Sequence, residues 1–126
     1  MENKNITIML VDDEDGFRRP MEFWLKARGY EVISLRSGID ALAYLEHNTP
    51  DIIYLDMKMP EMDGIETLER IRKKHPDIPV IMITAYGTQE SMAKAQELGV
   101  TGFFSKGDDF VIAAKLIEAA IISKEK

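Results

Sequence analysis

The sequence contains no cysteine, no long apolar segment and no excess of basic residues. Without cysteine, a disulfide, thiolate catalysis and a zinc–thiolate site are all excluded. No apolar run approaches the ~18 residues that a membrane-spanning helix needs, and residues 1–5 are polar, unlike a signal peptide. The formal net charge of −6 argues against direct nucleic-acid binding, because neutralising phosphates requires a basic face. We therefore expect a cytoplasmic protein with no membrane insertion and no direct nucleic-acid contact.

Short apolar runs alternate with amphipathic stretches along the whole chain. Four runs are nearly continuous, which is typical of parallel strands covered on both faces. They span 6–11, 52–55, 80–83 and 102–105. A weaker run over 31–35 indicates an edge strand. With helical spacing between the runs, the sequence predicts five βα units in one α/β domain over residues 1–126, with helices on both faces of a parallel sheet.

The predicted helices differ in their apolar residues. Those expected in the core are Phe17, Met21, Trp24 and Leu25, then Ile39, Leu42 and Ala43, then Ile65, Leu68 and Ile71. The basic run at 70–74 is interpreted as a solvated helix end.

The stretch over 89–98 has few large apolar residues, which is typical of an element that shifts at low cost. In the last helix, Ile112, Leu116 and Ala119 extend the apolar arc, either for burial within the monomer or as a partner or dimer surface.

The most informative residues come where the predicted strands end. Asp12 and Asp13 follow the first run, Asp56 the third strand, Thr84 the fourth and Lys106 the fifth. In a parallel sheet these positions share the carboxyl edge, where open α/β sheets bind ligands. One such aspartate alone is usually a turn residue or a helix cap, but five polar residues on four strand ends are hard to explain as caps.

These residue types suit magnesium-assisted phosphoryl transfer. Crowded carboxylates raise one another's pKa unless a cation neutralises them, and Mg²⁺ prefers a few carboxylates, several waters and a phosphate oxygen. Lys106 supplies a point charge for a phosphoryl oxygen, and the Thr84 hydroxyl can donate a hydrogen bond to another. The pattern therefore predicts an Mg²⁺ site with Asp56 as the nucleophile.

Four segments resemble response-regulator receiver domains of the chemotaxis-regulator type, in order and at the expected spacing. They are Val11–Glu14, Asp56–Gly64, Ile83–Ala85 and Phe103–Lys106. The resemblance implies a flavodoxin-like (βα)5 three-layer sandwich with strand order 2-1-3-4-5. It also implies that the chain takes a phosphoryl group from a phosphohistidine, on a sensor histidine kinase or a phosphotransfer protein. Phosphorylation would then alter binding of an output protein, an output domain or a second copy through the last two helices and the fifth strand.

The resemblance also implies a role for each site residue. Asp56 is the phosphoacceptor, and Thr84 and Lys106 contact the phosphoryl oxygens. Phe103 is the switch residue that changes rotamer together with Thr84. The implied metal ligands are Asp13 and Asp56 directly, Asp12 largely through water, and the backbone carbonyl of Lys58.

Two positions depart from the family pattern. Gly107 follows Lys106, where the family usually has a proline after a cis peptide bond. A cis bond before a residue other than proline costs roughly 2.5–4 kcal/mol, so we expect a trans bond or a different loop path here. Phe103 replaces the usual tyrosine and cannot donate a hydrogen bond when it turns outward.

Two other classes of function stay open. An aspartate-nucleophile phosphohydrolase would also need Mg²⁺, but such enzymes typically place an acid two residues after the nucleophile, where this chain has Lys58, and the chain lacks a cap domain. A receiver-like binding module would not be phosphorylated at all.

Lys58 and Tyr86 border the expected path of the water that would attack the phosphoryl group on Asp56. Neither side chain is suited to orienting this water, so we expect slow self-dephosphorylation.

Overall fold

The computed structural model describes residues 6–85 and 88–125, so the polar start at 1–5 and Tyr86 lie outside the described residues. The strands are β1 (Thr7–Val11), β2 (Glu31–Leu35), β3 (Ile52–Asp56), β4 (Val80–Thr84) and β5 (Gly102–Ser105). The helices are α1 (Asp15–Ala27), α2 (Gly38–Leu45), α3 (Gly64–Lys74), α4 (Gln89–Glu97) and α5 (Phe110–Glu125). All strand pairs are parallel in the order β2-β1-β3-β4-β5, which confirms the predicted fold and the edge position of β2.

Alternate residues of each strand enter two separate hydrophobic clusters, one on each face of the sheet. Ile8 and Leu10 of β1 pack with α1 and α5, whereas Met9 and Val11 pack with α2, α3 and α4. Since both faces are covered, every residue of β3 is buried. The nearly continuous apolar runs in the sequence follow from this double coverage.

Helix α2 presents a different face to the sheet from the one predicted. The prediction of a core face was wrong for Ile39, which is 57% exposed, and for Ala43, which is also exposed, whereas Leu42 packs against the core as predicted. The buried residues of α2 are Gly38, Ala41 and Leu45. The cause is a close approach at the start of the helix. A Cβ on Gly38 would lie 2.2 Å from Thr67 Oγ1 of α3, so only glycine fits, and this contact sets the rotation of α2.

Basic residues near the end of α3 do more than cover a solvated helix end. Arg72 donates hydrogen bonds to the carbonyl oxygens of His75, Ile78, Leu98 and Gly99, at 2.7–3.1 Å. It therefore ties the end of α3 to the end of α4 and to the segment before β4. For Arg72 the prediction of a solvated side chain was wrong, because these unpaired carbonyls need donors.

The last two helices are anchored very differently. Within α4 only Ala95 is buried, as expected for a weakly anchored helix. In α5, Ala113, Ala114, Ile117 and Ala120 are buried. Phe110, Leu116 and Ile121 pack against the hydrophobic cluster that contains Ala113, Ile117 and Ala120. Ile112 is 41% exposed. The broad apolar arc of α5 is thus divided: Leu116 belongs to the core, and Ile112 faces outward.

Candidate functional site

All five residues predicted from the strand ends lie at the carboxyl edge of the sheet. One side-chain oxygen each of Asp12, Asp13 and Asp56 lies within 4.8 Å of the others. Asp13, Asp56, Thr84 and Lys106 line the same cleft of about 260 Å³. The structure therefore brings together the residues that the sequence pattern singled out.

Asp12 is held in place by its own loop. Its N–H donates a hydrogen bond to the Leu35 carbonyl at 3.0 Å, which extends the β1–β2 pairing by one residue. Its Oδ1 accepts a hydrogen bond from the Glu14 N–H at 2.8 Å. This side-chain-to-backbone turn orients a fully buried carboxylate.

Asp56 is the last residue of β3 and is only 3% exposed. The loop that follows folds back at once, because Met57 donates to the Ile83 carbonyl at 3.0 Å and Gly64 donates to the Met57 carbonyl at 2.9 Å. The Lys58 N–H points toward Asp56 Oδ1 at 3.4 Å, and Lys58 itself lines the cleft. Met57, Met59 and Met62 are buried and pack the loop.

Lys106 reaches across the sheet edge to the carboxylates. Its Nζ lies 3.2 Å from Asp12 Oδ2 and 3.5 Å from Asp56 Oδ2, and it also contacts the Glu14 carboxylate. The peptide bond to Gly107 is trans, like every described peptide bond, which confirms that expectation. Replacing the usual proline leaves the lysine at the site.

Thr84 offers an unused donor to the cleft. Its Oγ1 is buried and has no hydrogen-bond partner within residues 6–85 and 88–125. Thr84 pairs with Ser105 across the β4–β5 ladder. Phe103 lies two residues before Ser105 and is half-buried against the hydrophobic cluster that packs with α2, α3 and α4. An unpaired buried hydroxyl costs free energy, so the position is suited to an acceptor that arrives with a ligand.

Crowding and burial shift the ionisation of this cluster. Burial, reinforced by the negative charge of Asp12 and opposed by Lys106, raises the pKa of Asp56 to about 7. Burial also raises the pKa of Asp12, although the Glu14 N–H and Lys106 oppose the shift. Burial alone would lower the pKa of Lys106, but its contacts with Glu14, Asp56 and Asp12 raise it overall. One ammonium therefore does not neutralise the three clustered carboxylates.

The donor set fits a hard divalent cation. Three carboxylates with closely spaced oxygens are the ligands that Mg²⁺ prefers, and the uncompensated negative charge would stabilise it. The unpaired Thr84 hydroxyl and the Lys106 ammonium border the same cleft, where a phosphoryl group could accept hydrogen bonds from both.

Sequence reasoning missed two residues next to this site. Arg18 is buried, donates to the Asp12 carbonyl at 2.9 Å and to Ser34 Oγ at 2.8 Å, and pairs with Asp15 at 2.8 Å. Through these contacts Arg18 stabilises the segment between β1 and α1 that carries Asp12. The available signal was a lone arginine among the apolar positions of α1. The second is Glu14, whose contact with Lys106 forms only when the loops that follow β1 and β5 meet at the carboxyl edge of the folded sheet.

The whole arrangement matches a known family. A model of the response regulator receiver domain matches residues 8–118. The chain belongs to this family. Receiver domains are signalling domains of two-component systems that bind Mg²⁺ through acidic residues and interact with histidine kinases and output domains.

Individual relatives agree with this assignment. Sporulation initiation phosphotransferase F of Bacillus subtilis is 37% identical over 105 residues, which are 83% of this receiver domain and 85% of that protein. The DNA-binding transcriptional regulator NtrC of Salmonella typhimurium is 33% identical over 114 residues, 90% of this chain but 24% of NtrC. A CheY-like receiver domain from Methanospirillum hungatei superposes with a TM-score of 0.88 at 26% identity, covering 95% of this chain and 97% of that one.

None of the helices in the described part of this receiver domain has both the length and the apolar character needed to cross a membrane.

Proposed function

We propose that this receiver domain accepts a phosphoryl group on Asp56 from a histidine-kinase or phosphotransfer-protein phosphohistidine, with Mg²⁺ bound, and that phosphorylation switches its binding to a partner. The observation that carries the proposal is the cleft in which three carboxylates, an ammonium group and an unpaired buried hydroxyl converge. Each of these groups has a chemical role in phosphoryl transfer, and a helix cap or a turn would not require all of them together. The domain would comprise residues 1–126 and act in the cytoplasm, where such a donor is made.

The proposed metal ligands are Asp13, Asp56, the Lys58 carbonyl and, through water, Asp12. Bound Mg²⁺ would neutralise part of the charge on the acidic residues and on the phosphoryl oxygens. The raised pKa of Asp56 indicates why a cation matters: the carboxylate must be ionised to act as a nucleophile, and its neighbours oppose ionisation.

In the proposed transfer, one carboxylate oxygen of Asp56 forms a bond to phosphorus while the bond between phosphorus and the donor's imidazole nitrogen breaks. The imidazole nitrogen keeps the electron pair of the broken bond. Lys106 and Thr84 would stabilise the phosphoryl oxygens, Lys106 as a point charge and Thr84 as a hydrogen-bond donor. Once made, that hydrogen bond would satisfy the buried Thr84 hydroxyl.

The proposed switch uses the same hydrogen bond. Movement of Thr84 toward the phosphoryl group would leave space that Phe103 can fill by changing rotamer, since Phe103 is half-buried near the β4–β5 edge. Weakly anchored α4 would follow at low cost. The output surface would then comprise α4, β5 and α5, read by an output protein, an output domain or a second copy.

The proposal is tested by incubating the protein with acetyl phosphate and Mg²⁺ and measuring the intact mass. We expect the wild type to gain one phosphoryl group, EDTA to prevent the gain and Asp56→Asn to abolish it. Asp63→Asn is the matched control, because Asp63 is an exposed helix cap whose role asparagine can take.

Three results would contradict the proposal. If Asp56→Asn were phosphorylated at the wild-type rate, the acceptor would lie elsewhere. If acetyl phosphate were hydrolysed catalytically with no phosphorylated protein accumulating, the phosphohydrolase class would be favoured. If the wild type were not phosphorylated and did not hydrolyse acetyl phosphate, the binding module would be favoured.

A further inference from the structure

Lys106 has three acidic neighbours, but only two of them belong to the carboxylate cluster. Asp12 and Asp56 lie 3.2 Å and 3.5 Å from its ammonium group and are cluster members. Glu14, the third neighbour, is 61% exposed at its side chain and is not part of the cluster. The ammonium group therefore lies between carboxylates that suit a divalent cation and one that is turned to solvent.

This position makes Lys106 a competitor for the metal. A cation close to Asp12 and Asp56 partly neutralises the charge that would attract Mg²⁺. Burial makes the competition stronger, since Asp12 is fully buried and the lysine side chain is only 15% exposed. Any contact that draws the ammonium group away from these two carboxylates would leave them freer for the metal.

Two contacts draw the lysine toward the start of α1. One is the Glu14 carboxylate, whose backbone is held by the hydrogen bond from its N–H to Asp12 Oδ1. The other is the ring of Phe17, whose centroid lies 5.1 Å from Lys106 Nζ. Both come from the segment that directly follows the paired aspartates, and they share the ammonium group with Asp12 and Asp56. We call this shared position of the ammonium group its resting position.

We propose that Glu14 is a positioning residue that holds Lys106 at this resting position and thereby strengthens Mg²⁺ binding by Asp12, Asp13 and Asp56. This inference rests on the proposed function, because it assigns the acidic cluster to the metal. Glu14 acts through Lys106 and takes no place among the metal ligands. The exposed pair is weak enough for Lys106 to leave it when a phosphoryl group offers a stronger partner.

The test is a double-mutant cycle on Mg²⁺ affinity. Magnesium chloride is titrated calorimetrically into wild type, Glu14→Gln, Lys106→Met and the double variant, with folding of each checked by thermal unfolding. We expect Glu14→Gln to weaken Mg²⁺ binding about three- to fivefold when Lys106 is present, the scale of one exposed ion pair. In the Lys106→Met background the same change should cost less than about twofold, the remaining effect of one lost charge. Lys106→Met alone should tighten binding.

The control for general electrostatics is built into the cycle. If Glu14→Gln weakened binding equally in both backgrounds, Glu14 would act as a charge or a ligand, and the positioning role would be overturned. If it had no effect in either background, the contact with Lys106 would have no consequence for the metal. A wild type that neither binds Mg²⁺ nor accepts a phosphoryl group would instead overturn the proposed function itself.

Discussion

At the scale of single residues, the site combines groups that destabilise the protein when no ligand is bound. Asp56 is buried beside a second buried carboxylate, and the Thr84 hydroxyl has no partner among the described residues. Such groups are retained at functional positions because a ligand later satisfies them. These groups should therefore lower the free energy of unfolding of the metal-free protein, and the size of this effect should depend on pH.

We predict that Asp56→Asn stabilises the metal-free protein at pH 8 and much less at pH 5. The pKa of Asp56 is about 7 in the folded protein, above its ordinary value of 3.8, so the folded state favours the protonated acid. Wild-type stability therefore falls as pH rises from about 4 through 7, whereas asparagine carries no charge to bury. The expected gain at pH 8 is on the order of 1–3 kcal/mol, measured by urea unfolding in EDTA.

Adding Mg²⁺ provides the control for this pH effect. At pH 8 the cation should remove much of the difference by stabilising the wild type, since ligands that bind the folded state stabilise it. A gap between wild type and Asp56→Asn that did not change between pH 5 and pH 8 would show that Asp56 does not titrate in this range.

At the scale of secondary-structure elements, α3 is packed directly onto the end of the acceptor strand. A Cβ at Gly64, the first residue of α3, would lie 2.2 Å from the Asp56 carbonyl oxygen and 2.7 Å from Met57 Cα. Both are backbone atoms and cannot move aside as a flexible side chain would. The glycine therefore allows the helix to begin close enough to fix the loop that carries Lys58.

We predict that Gly64→Ala destabilises the protein by about 2–4 kcal/mol and weakens Mg²⁺ binding, because relieving the overlap must displace the end of β3. Gly16→Ala is the matched control: it lies in the first turn of α1 with no heavy atom within 4 Å of the added Cβ. Alanine there should be neutral or slightly stabilising. Equal unfolding midpoints for the two variants in a denaturant titration would contradict the packing argument.

At the scale of the whole molecule, the sheet separates a firmly anchored α5 from a weakly anchored α4. Helix α5 also carries exposed apolar residues. Val111 and Ile112 are 46% and 41% exposed, whereas Leu116 packs against the core and lies 3.2 Å from a Cβ built on Gly102. Exposed apolar residues on one helix are candidates for a partner or dimer surface.

We predict that Ile112→Glu leaves the fold intact, with a change in stability below about 1 kcal/mol, while Leu116→Glu destabilises it by about 2–4 kcal/mol. Thermal unfolding distinguishes the two. If the surface is used for self-association, Ile112→Glu should also shift the phosphorylated protein toward monomer in sedimentation velocity. Strong unfolding by Ile112→Glu would place that side chain in the core and remove the surface from consideration.

The architecture and the residues of the site could be predicted from the sequence because both depend on local periodicity. Apolar runs that alternate with helically spaced stretches dictate five βα units. Because the strands are parallel, Asp12, Asp56, Thr84 and Lys106 come to the same edge of the sheet, and this does not depend on the exact positions of the helices. The exposed Ile39 and the carbonyl contacts of Arg72 could not be predicted in this way. They depend on how Gly38 approaches Thr67 and how the end of α3 approaches that of α4.

The sequence by itself thus determined which chemical groups meet, because strand direction fixes the edge at which each strand ends. Only the tertiary structure decided how those groups are balanced against one another. The contacts of Lys106 with Asp12 and Glu14 join side chains more than ninety positions apart along the chain, and its contact with Asp56 also joins separate strand ends. Burial depends on the tertiary structure in the same way, and it raises the pKa of Asp56 only once β3 is packed between β1 and β4 and the sheet lies between two layers of helices. Desolvation and ion pairing are properties of the assembled fold, and no local pattern encodes them.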